Sequence, residues 1–174
     1  VDMDTDYVMY DLNAHEKMYP ASITKVMTAA LTLDAVSEGK LSLDEMITAG
    51  PTAWQGLDTS SSNQNIQVGE QMSVKDLLYC LMVASANEAA NILAVAVAGS
   101  IDNFVAMMNA KAAELGCTGT HFVNPDGMPD NDHYTTAYDL YLIGKYAMQN
   151  ETFRTIVKTP EYYVGPTNMN ENRR

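Results

Sequence analysis

The segment of residues 88–97 constrains the fold more than any other part of this chain. It reads EAANILAVAV, so a helix built from it is apolar on nearly every side. A helix of that kind must be surrounded by other parts of the protein or by lipid. No apolar run in the sequence approaches the ~18 residues that a bilayer-spanning helix needs. We therefore predict a helix that is buried on most of its sides inside a folded protein.

Apolar periodicity and capping signals predict the other elements. Helices are expected from Ile23 to a stop at Gly39-Lys40, over residues 73–83, 101–115 and 136–148, and, as a short helix capped by Ser42, over residues 42–46. Strands are expected at residues 7–10, in a hairpin that looks cut short, and at residues 162–164. Residues 50–67 and 120–136 read as loops, and a loop as long as the second is usually functional. The fold class is therefore α/β, of the α+β kind.

Charge and cysteine content argue against several classes of function. The 174 residues carry a formal net charge of −12, which repels phosphate backbones and disfavours nucleic-acid binding. Lys and Arg are few and do not form a membrane-binding patch. Cys80 and Cys117 are not in a C-x-x-C arrangement, which disfavours a zinc or redox site. Cys80 is expected to be a buried small hydrophobic residue, and a disulfide between the two stays open. The N-terminus carries no visible signal peptide, as in a processed or a trimmed chain.

A serine and a lysine three positions apart stand at the start of the first helix. In PASITKVMT, residues 20–28, Ser22 and Lys25 would present a hydroxyl and an amine to the same spot. A neutral lysine amine can remove the serine proton, and burial lowers the lysine pKa enough to make it neutral. The apolar neighbours Ile23, Val26 and Met27 favour such burial. The alternative is that Ser22 caps the helix and Lys25 is exposed.

A second polar group lies between two apolar helices, at Ser85-Ala86-Asn87. If this link is extended, residues i and i+2 point the same way. Ser85 and Asn87 would then face one cleft, where the first could relay a proton and the second could bind an amide. The alternative is that one of them caps the helix that follows.

These motifs, in this order, resemble the serine D-alanyl-D-alanine carboxypeptidases, the low-molecular-mass penicillin-binding proteins of the S11 peptidase type. The resemblance extends over nearly the whole chain. The segments that carry it are NAHEKMYPASITKVMTA (13–29), VGE (68–70), LLY (77–79), SANEAA (85–90), THFVNPDGM (120–128) and HYTTAYDL (133–140).

The resemblance implies a role for each matched residue. Ser22 would be the acylated nucleophile, with its backbone N–H forming half of the oxyanion hole, and Lys25 would be the base. Ser85 would relay the proton to the leaving D-alanine, and Asn87 would hold the substrate amide. The substrates would be peptidoglycan stem peptides ending in D-Ala-D-Ala, and β-lactam antibiotics would be trapped as acyl-enzymes. No metal or cofactor is implied. The location would be outside the cytoplasmic membrane, with any membrane anchor outside this chain.

One family motif is missing from these residues. The family has a K-T-G motif on a strand beside the cleft, and the sequence contains none. Lys158-Thr159-Pro160 has a proline in place of the glycine and comes too early, so we interpret it as a loop or edge position. Truncation before the missing strands would explain both this and the short first strand.

We expect residues 1–174 to form a single partial transpeptidase-like domain. Residues 1–35 and 137–174 would be associated with an incomplete antiparallel sheet, and residues 36–136 would form a largely complete helical subdomain. Apolar helix faces would then be exposed, and the chain alone would be poorly active or inactive.

Two other functions remain open. The chain could be a catalytically incomplete fragment that binds peptidoglycan or penicillin. It could also be a class A-like β-lactamase, which needs a separate glutamate base; Glu88 and Asn91 are the residues that suggest it.

Overall fold

The computed structural model describes residues 1–171. Its elements are six helices, two short strands and two 3₁₀ turns. The helices are α1 (Lys25–Ser37), α2 (Val74–Val83), α3 (Asn87–Ala98), α4 (Ile101–Glu114), α5 (Ala137–Ala147) and α6 (Glu151–Val157). The strands are β1 (Met46–Thr48) and β2 (Gln71–Ser73), and the 3₁₀ turns are Ala21–Thr24 and Pro51–Trp54.

Helix α3 is the predicted apolar helix, and its burial is confirmed. Its first eight residues, from Asn87 to Ala94, are all buried. It packs against α1, α2, α4 and the turn Pro51–Trp54. The interior amide of Asn91 is satisfied there, because its Nδ2 donates to the carbonyls of Ala53 and Gln55, both at 3.1 Å. The central helix is thus held on most sides by other helices.

Helix α1 is more enclosed than the sequence suggested. Nine of its 13 residues are buried, against α3, α5, α2, α4 and α6. The expectation of exposed apolar faces is therefore wrong for this helix. Exposed large apolar side chains gather instead in the N-terminal segment, residues 1–12, which includes Tyr7, Met9, Tyr10 and Leu12.

Strand predictions were the least accurate. Residues 7–10 form no strand, because none of their backbone groups joins a ladder with another described segment. Residues 42–46 form no helix; Ser42 N donates to Glu45 Oε2 at 3.1 Å in a turn, and the chain then enters β1. Strands β1 and β2 pair antiparallel, with Ile47 opposite Met72.

Helix α6 was not anticipated from the sequence. Helix α6 is capped by Asn150, whose side chain accepts from Phe153 N. Near residue 164 the structure has only a single bridge residue, Val164, where a strand was expected.

Both cysteines are buried and free, so the disulfide left open by the sequence is not formed. Burial raises the pKa of the Cys117 thiol to about 12. Among the described residues, no single helix has the length and apolar character to cross a bilayer. By length and composition alone, α3 and α4 reach that threshold together, across a bend of 85°.

Candidate active site

The candidate nucleophile lies in the 3₁₀ turn that leads into α1. Ser22 is exposed, and neither the turn nor α1 has a side-chain cap, so the capping interpretation of Ser22 is wrong. The residue before it, Ala21, has a φ of 48°, a left-handed conformation that costs energy for a residue with a Cβ. Backbone N–H groups in a first helical turn have no intrahelical acceptor. The Ser22 amide therefore has no acceptor within the turn.

Lys25 is the best-connected polar group of the site. Its Nζ lies 3.2 Å from Ser22 Oγ, 2.6 Å from Asn87 Oδ1 and 2.6 Å from the carbonyl oxygen of Asp126. The side chain is only 2% exposed. This burial lowers the pKa of Lys25 to about 8, while the carboxylates of Asp126 and Glu88 act in the opposite direction. About a tenth of the amine is therefore neutral at pH 7, far more than for an ordinary lysine.

The cause of this burial differs from the predicted one. Ile23, expected to cover the lysine, is 53% exposed. The amine is instead enclosed by oxygen atoms from the turn before α1, from α3 and from the loop that contains Asp126. These three contacts fix the position of the nitrogen beside Ser22 Oγ.

Asn87 and Ser85 flank a bend, not an extended link. Ser85 has a left-handed φ of 56°, so the expected extended link is wrong, and the placement of both side chains at one cleft stays a prediction. Asn87 begins α3, and its side chain meets Lys25 and, through Nδ2, Met128 Sδ at 3.6 Å. Ser85 Oγ is buried and has no hydrogen-bond partner among residues 1–171. Helix α3 has no side-chain cap, so the capping alternative is wrong as well.

The loop of residues 123–128 completes the site, and sequence reasoning missed its part. It was recognised as a turn but no residue in it was assigned to the site. Its carbonyl groups face α1, where Pro125 O accepts from Thr28 Oγ1 at 2.6 Å and Asp126 O accepts from Lys25. The turn is closed by Asn124 Oδ1, which accepts from Gly127 N at 2.7 Å. A backbone carbonyl leaves no signature in residue type, so the pointers to this loop were its turn signal, its length and the resemblance of residues 120–128 to the family.

Glu88 and Asn91 do not face the lysine–serine pair as a second base would. Glu88 is fully buried, and its Oε1 accepts from the backbone amides of Gln64 and Ile66 at 2.6 and 3.2 Å. Asn91 is occupied by the carbonyls near the turn Pro51–Trp54. Both residues fix the loop of residues 53–66 onto α3, which disfavours the β-lactamase interpretation.

The lysine of the K-T-P segment lies outside the site. Lys158 is exposed at the C-terminus of α6, and Thr159 Oγ1 donates back to Thr155 O at 2.9 Å. The segment is a helix end, in agreement with its interpretation as a loop or edge position.

Comparison with known proteins agrees with this geometry. The profile of the D-alanyl-D-alanine carboxypeptidase family, peptidase S11, matches residues 1–173. The D-alanyl-D-alanine carboxypeptidase DacF of Bacillus subtilis is 34% identical over 164 residues, which are 94% of this chain and 41% of that protein. Among solved structures, the DD-transpeptidase of Streptomyces K15 superposes with a TM-score of 0.88 at 32% identity, over 99% of this chain and 68% of that one. Penicillin-binding protein 5 of Haemophilus influenzae gives 0.79 at 34% identity, over 82% and 42%.

These superpositions show that the fold is of the transpeptidase-like class of the penicillin-binding proteins. The chain belongs to the D-alanyl-D-alanine carboxypeptidase family, S11. The predicted fold class is thereby confirmed, with its helical part present and a sheet of only two strands among the described residues. The chain spans about two fifths of the length of the curated relatives it matches.

Proposed function

We propose that the protein is a serine D-Ala-D-Ala carboxypeptidase that acts on peptidoglycan stem peptides through an acyl-enzyme on Ser22. The observation that carries the proposal is the 3.2 Å approach of a buried lysine amine to an exposed serine hydroxyl. An amine with a pKa near 8 can remove a hydroxyl proton at neutral pH, where an ordinary lysine is almost fully charged. Substrate of this kind lies outside the cytoplasmic membrane, so we propose that location for the protein.

In the proposed reaction, neutral Lys25 takes the proton of Ser22 Oγ as the oxygen attacks the carbonyl carbon of the penultimate D-alanine. The Ser22 amide donates to the oxyanion of the tetrahedral intermediate. The C–N bond then breaks, and the leaving D-alanine receives a proton through Ser85. Asn87 holds the peptide amide, and water hydrolyses the ester. A β-lactam would acylate Ser22 by the same attack, with opening of its ring.

A catalytically incomplete binding fragment is the second candidate for the 174 residues taken alone. The observation that favours it is the absence of a K-T-G sequence from this chain, together with the position of Lys158 outside the site. The resemblance implies that the backbone beyond the K-T-G motif supplies the second oxyanion donor, and loss of one such donor costs about 10²–10³ in rate. We therefore expect slow or undetectable turnover of a D-Ala-D-Ala peptide by this chain, and measurable turnover would contradict that expectation.

Labelling with a fluorescent penicillin tests the nucleophile. We expect intact-mass spectrometry to show one covalent adduct per chain, lost in Ser22→Ala and kept in Ser37→Ala. Ser37 is a suitable control because it lies on α1 and its hydroxyl donates to Leu33 O, away from the site. If the 174-residue chain gives no adduct, the product of the whole gene is tested in the same way. An adduct that survives Ser22→Ala, or no adduct on either protein, would refute the assignment.

The charge of Asp126 offers a test of how the Lys25 pKa is set. Because the Asp126 carboxylate raises that pKa, Asp126→Asn should lower it and move the midpoint of the acylation pH profile to lower pH. With a pKa of about 8, about a tenth of the amine is neutral at pH 7, so the gain in rate there is at most about tenfold. Asparagine keeps the oxygen that accepts from Met128 N. Asp132 is exposed just beyond that loop, so Asp132→Asn should leave the profile unchanged. An upward shift in Asp126→Asn would contradict the expected sign.

A further inference from the structure

His133 is a buried imidazole that the proposed reaction does not use. It is 1% exposed, and so is the threonine that it contacts, Thr24. Its Nε2 lies 2.8 Å from Thr24 Oγ1, and its Nδ1 accepts from the backbone amide of Val123 at 3.1 Å. The ring thus joins the residue next to Lys25 to the start of the loop that carries Asp126.

The two contacts determine the tautomer. A backbone N–H can only donate, so Nδ1 must be unprotonated to accept from Val123. A neutral imidazole then carries its proton on Nε2 and donates it to Thr24 Oγ1. Burial supports the neutral form, because it lowers the pKa of His133 to about 4 against the opposing effect of Asp130.

Three side chains on one side of the nucleophile turn and α1 bind this loop. Thr24 binds it through His133, Lys25 through the carbonyl of Asp126, and Thr28 through the carbonyl of Pro125. Two of these contacts are direct hydrogen bonds to backbone carbonyls of the loop. The third is the imidazole, which spans the longer gap between Thr24 and Val123 and so determines how the loop starts.

We propose that His133, in its neutral Nε2–H form, is a positioning residue that fixes the loop of residues 123–128 against Thr24, so that Asp126 O holds the Lys25 amine beside Ser22. The kinetic part of this inference rests on the proposed function. His133 touches neither the lysine nor the serine, and it acts through Thr24 and the loop. A small displacement of the amine is enough to matter, since misplacement of a reacting group by 1 Å can cost about 10²-fold in rate.

The kinetic test uses matched pairs of variants and measures the rate of labelling by fluorescent penicillin. It is made on the 174-residue chain or, if that chain is not labelled, on the product of the whole gene. Thr24→Val removes the acceptor of the imidazole proton without changing side-chain shape, and should slow labelling by about 10- to 10²-fold. Thr24→Ser keeps the hydroxyl and should restore most of the rate. His133→Leu should be slow, and His133→Gln, whose amide can still donate to Thr24, should recover part of the loss. His121→Gln is the control, because His121 is exposed just before this loop and its ring contacts Asp132 O.

Combining the variants separates positioning from general loss of stability. If His133 acts through Thr24, then the double variant Thr24→Val/His133→Leu should be no slower than His133→Leu alone. Additive losses, or equal rates for Thr24→Val and the wild type, would overturn the proposal. A loss that Thr24→Ser fails to restore would also overturn it.

A nuclear magnetic resonance measurement tests the same inference without any catalysis. The ¹⁵N resonances of the 174-residue chain should show His133 with a bare Nδ1 and a protonated Nε2 at neutral pH. In Thr24→Val, the backbone amide resonances of Asn124, Asp126, Gly127 and Met128 should shift, while those of α6 should not. A protonated Nδ1, or unchanged loop amides, would refute the positioning role. Failure of penicillin labelling in the wild type would instead refute the proposed function. The nuclear magnetic resonance measurement would then decide the role of His133.

Discussion

Replacement of Lys25 by methionine should slow the acylation of Ser22 by about 10²- to 10⁴-fold, the range that a positioned general base contributes. Methionine has a similar length and no amine, so the hydroxyl loses the only side-chain amine within hydrogen-bond reach among residues 1–171. The wild-type rate should rise with pH through a midpoint near the lysine pKa of about 8. The residual rate of the variant should lack that step. The labelling rates of the wild type and the variant are measured from time courses with a fluorescent penicillin between pH 6 and pH 10.

The same change elsewhere gives the control for this prediction. Lys75 is exposed on α2, and Lys75→Met should leave rate and pH profile unchanged. A Lys25→Arg variant distinguishes a base from a fixed positive charge, because a guanidinium is not deprotonated in proteins. Retained labelling in Lys25→Arg would mean that the charge alone matters and would contradict the role of a base.

The sequence predicted those parts of the site that depend on short-range spacing. Ser22 and Lys25 are three residues apart, and a helical turn brings any such pair together. Asn87 reaches the lysine because α3 packs on α1. The apolar character of α3 had predicted that this helix is buried against other parts of the protein. What spacing could not give is the bend at Ser85, since a left-handed φ at a serine is set by the surrounding structure and not by local preference.

The rest of the site depends on contacts between distant segments. Lys25 and Thr28 are each about a hundred positions along the chain from the loop carbonyls that they bind. A backbone carbonyl is the acceptor in both bonds. The imidazole of His133 is likewise 109 positions from Thr24. Contacts between segments so far apart leave no periodic pattern in the sequence from which they could be predicted. The same reason explains the failed strand at residues 7–10, because a strand exists only where another segment supplies its ladder.

Replacement of Gly127 by alanine should disrupt the site more than any other single methyl group. Gly127 has a φ of +91°, and a Cβ there would lie 1.9 Å from the carbonyl oxygen of Ala21 and 3.1 Å from the amide nitrogen of Ser22. Both atoms belong to the backbone of the nucleophile turn and cannot rotate away. The turn and the loop must therefore separate, which moves Ser22 and its oxyanion amide away from Lys25. We expect the free energy of unfolding to fall by about 2–5 kcal/mol, from overpacking and left-handed strain, with penicillin labelling reduced at least 10²-fold.

Two glycine variants separate the clash from the backbone strain. Gly39 also has a positive φ, of +72°, but a Cβ there meets nothing within 4 Å. Gly39→Ala should therefore show only the strain, about 1–2 kcal/mol, and normal labelling. Gly165 has neither a positive φ nor a neighbour within 4 Å, so Gly165→Ala should be neutral. The measurements are urea unfolding and the labelling rate of each variant. If Gly127→Ala proved no worse than Gly39→Ala in either measurement, the tight contact between this loop and the nucleophile turn would not be what holds Ser22 in place.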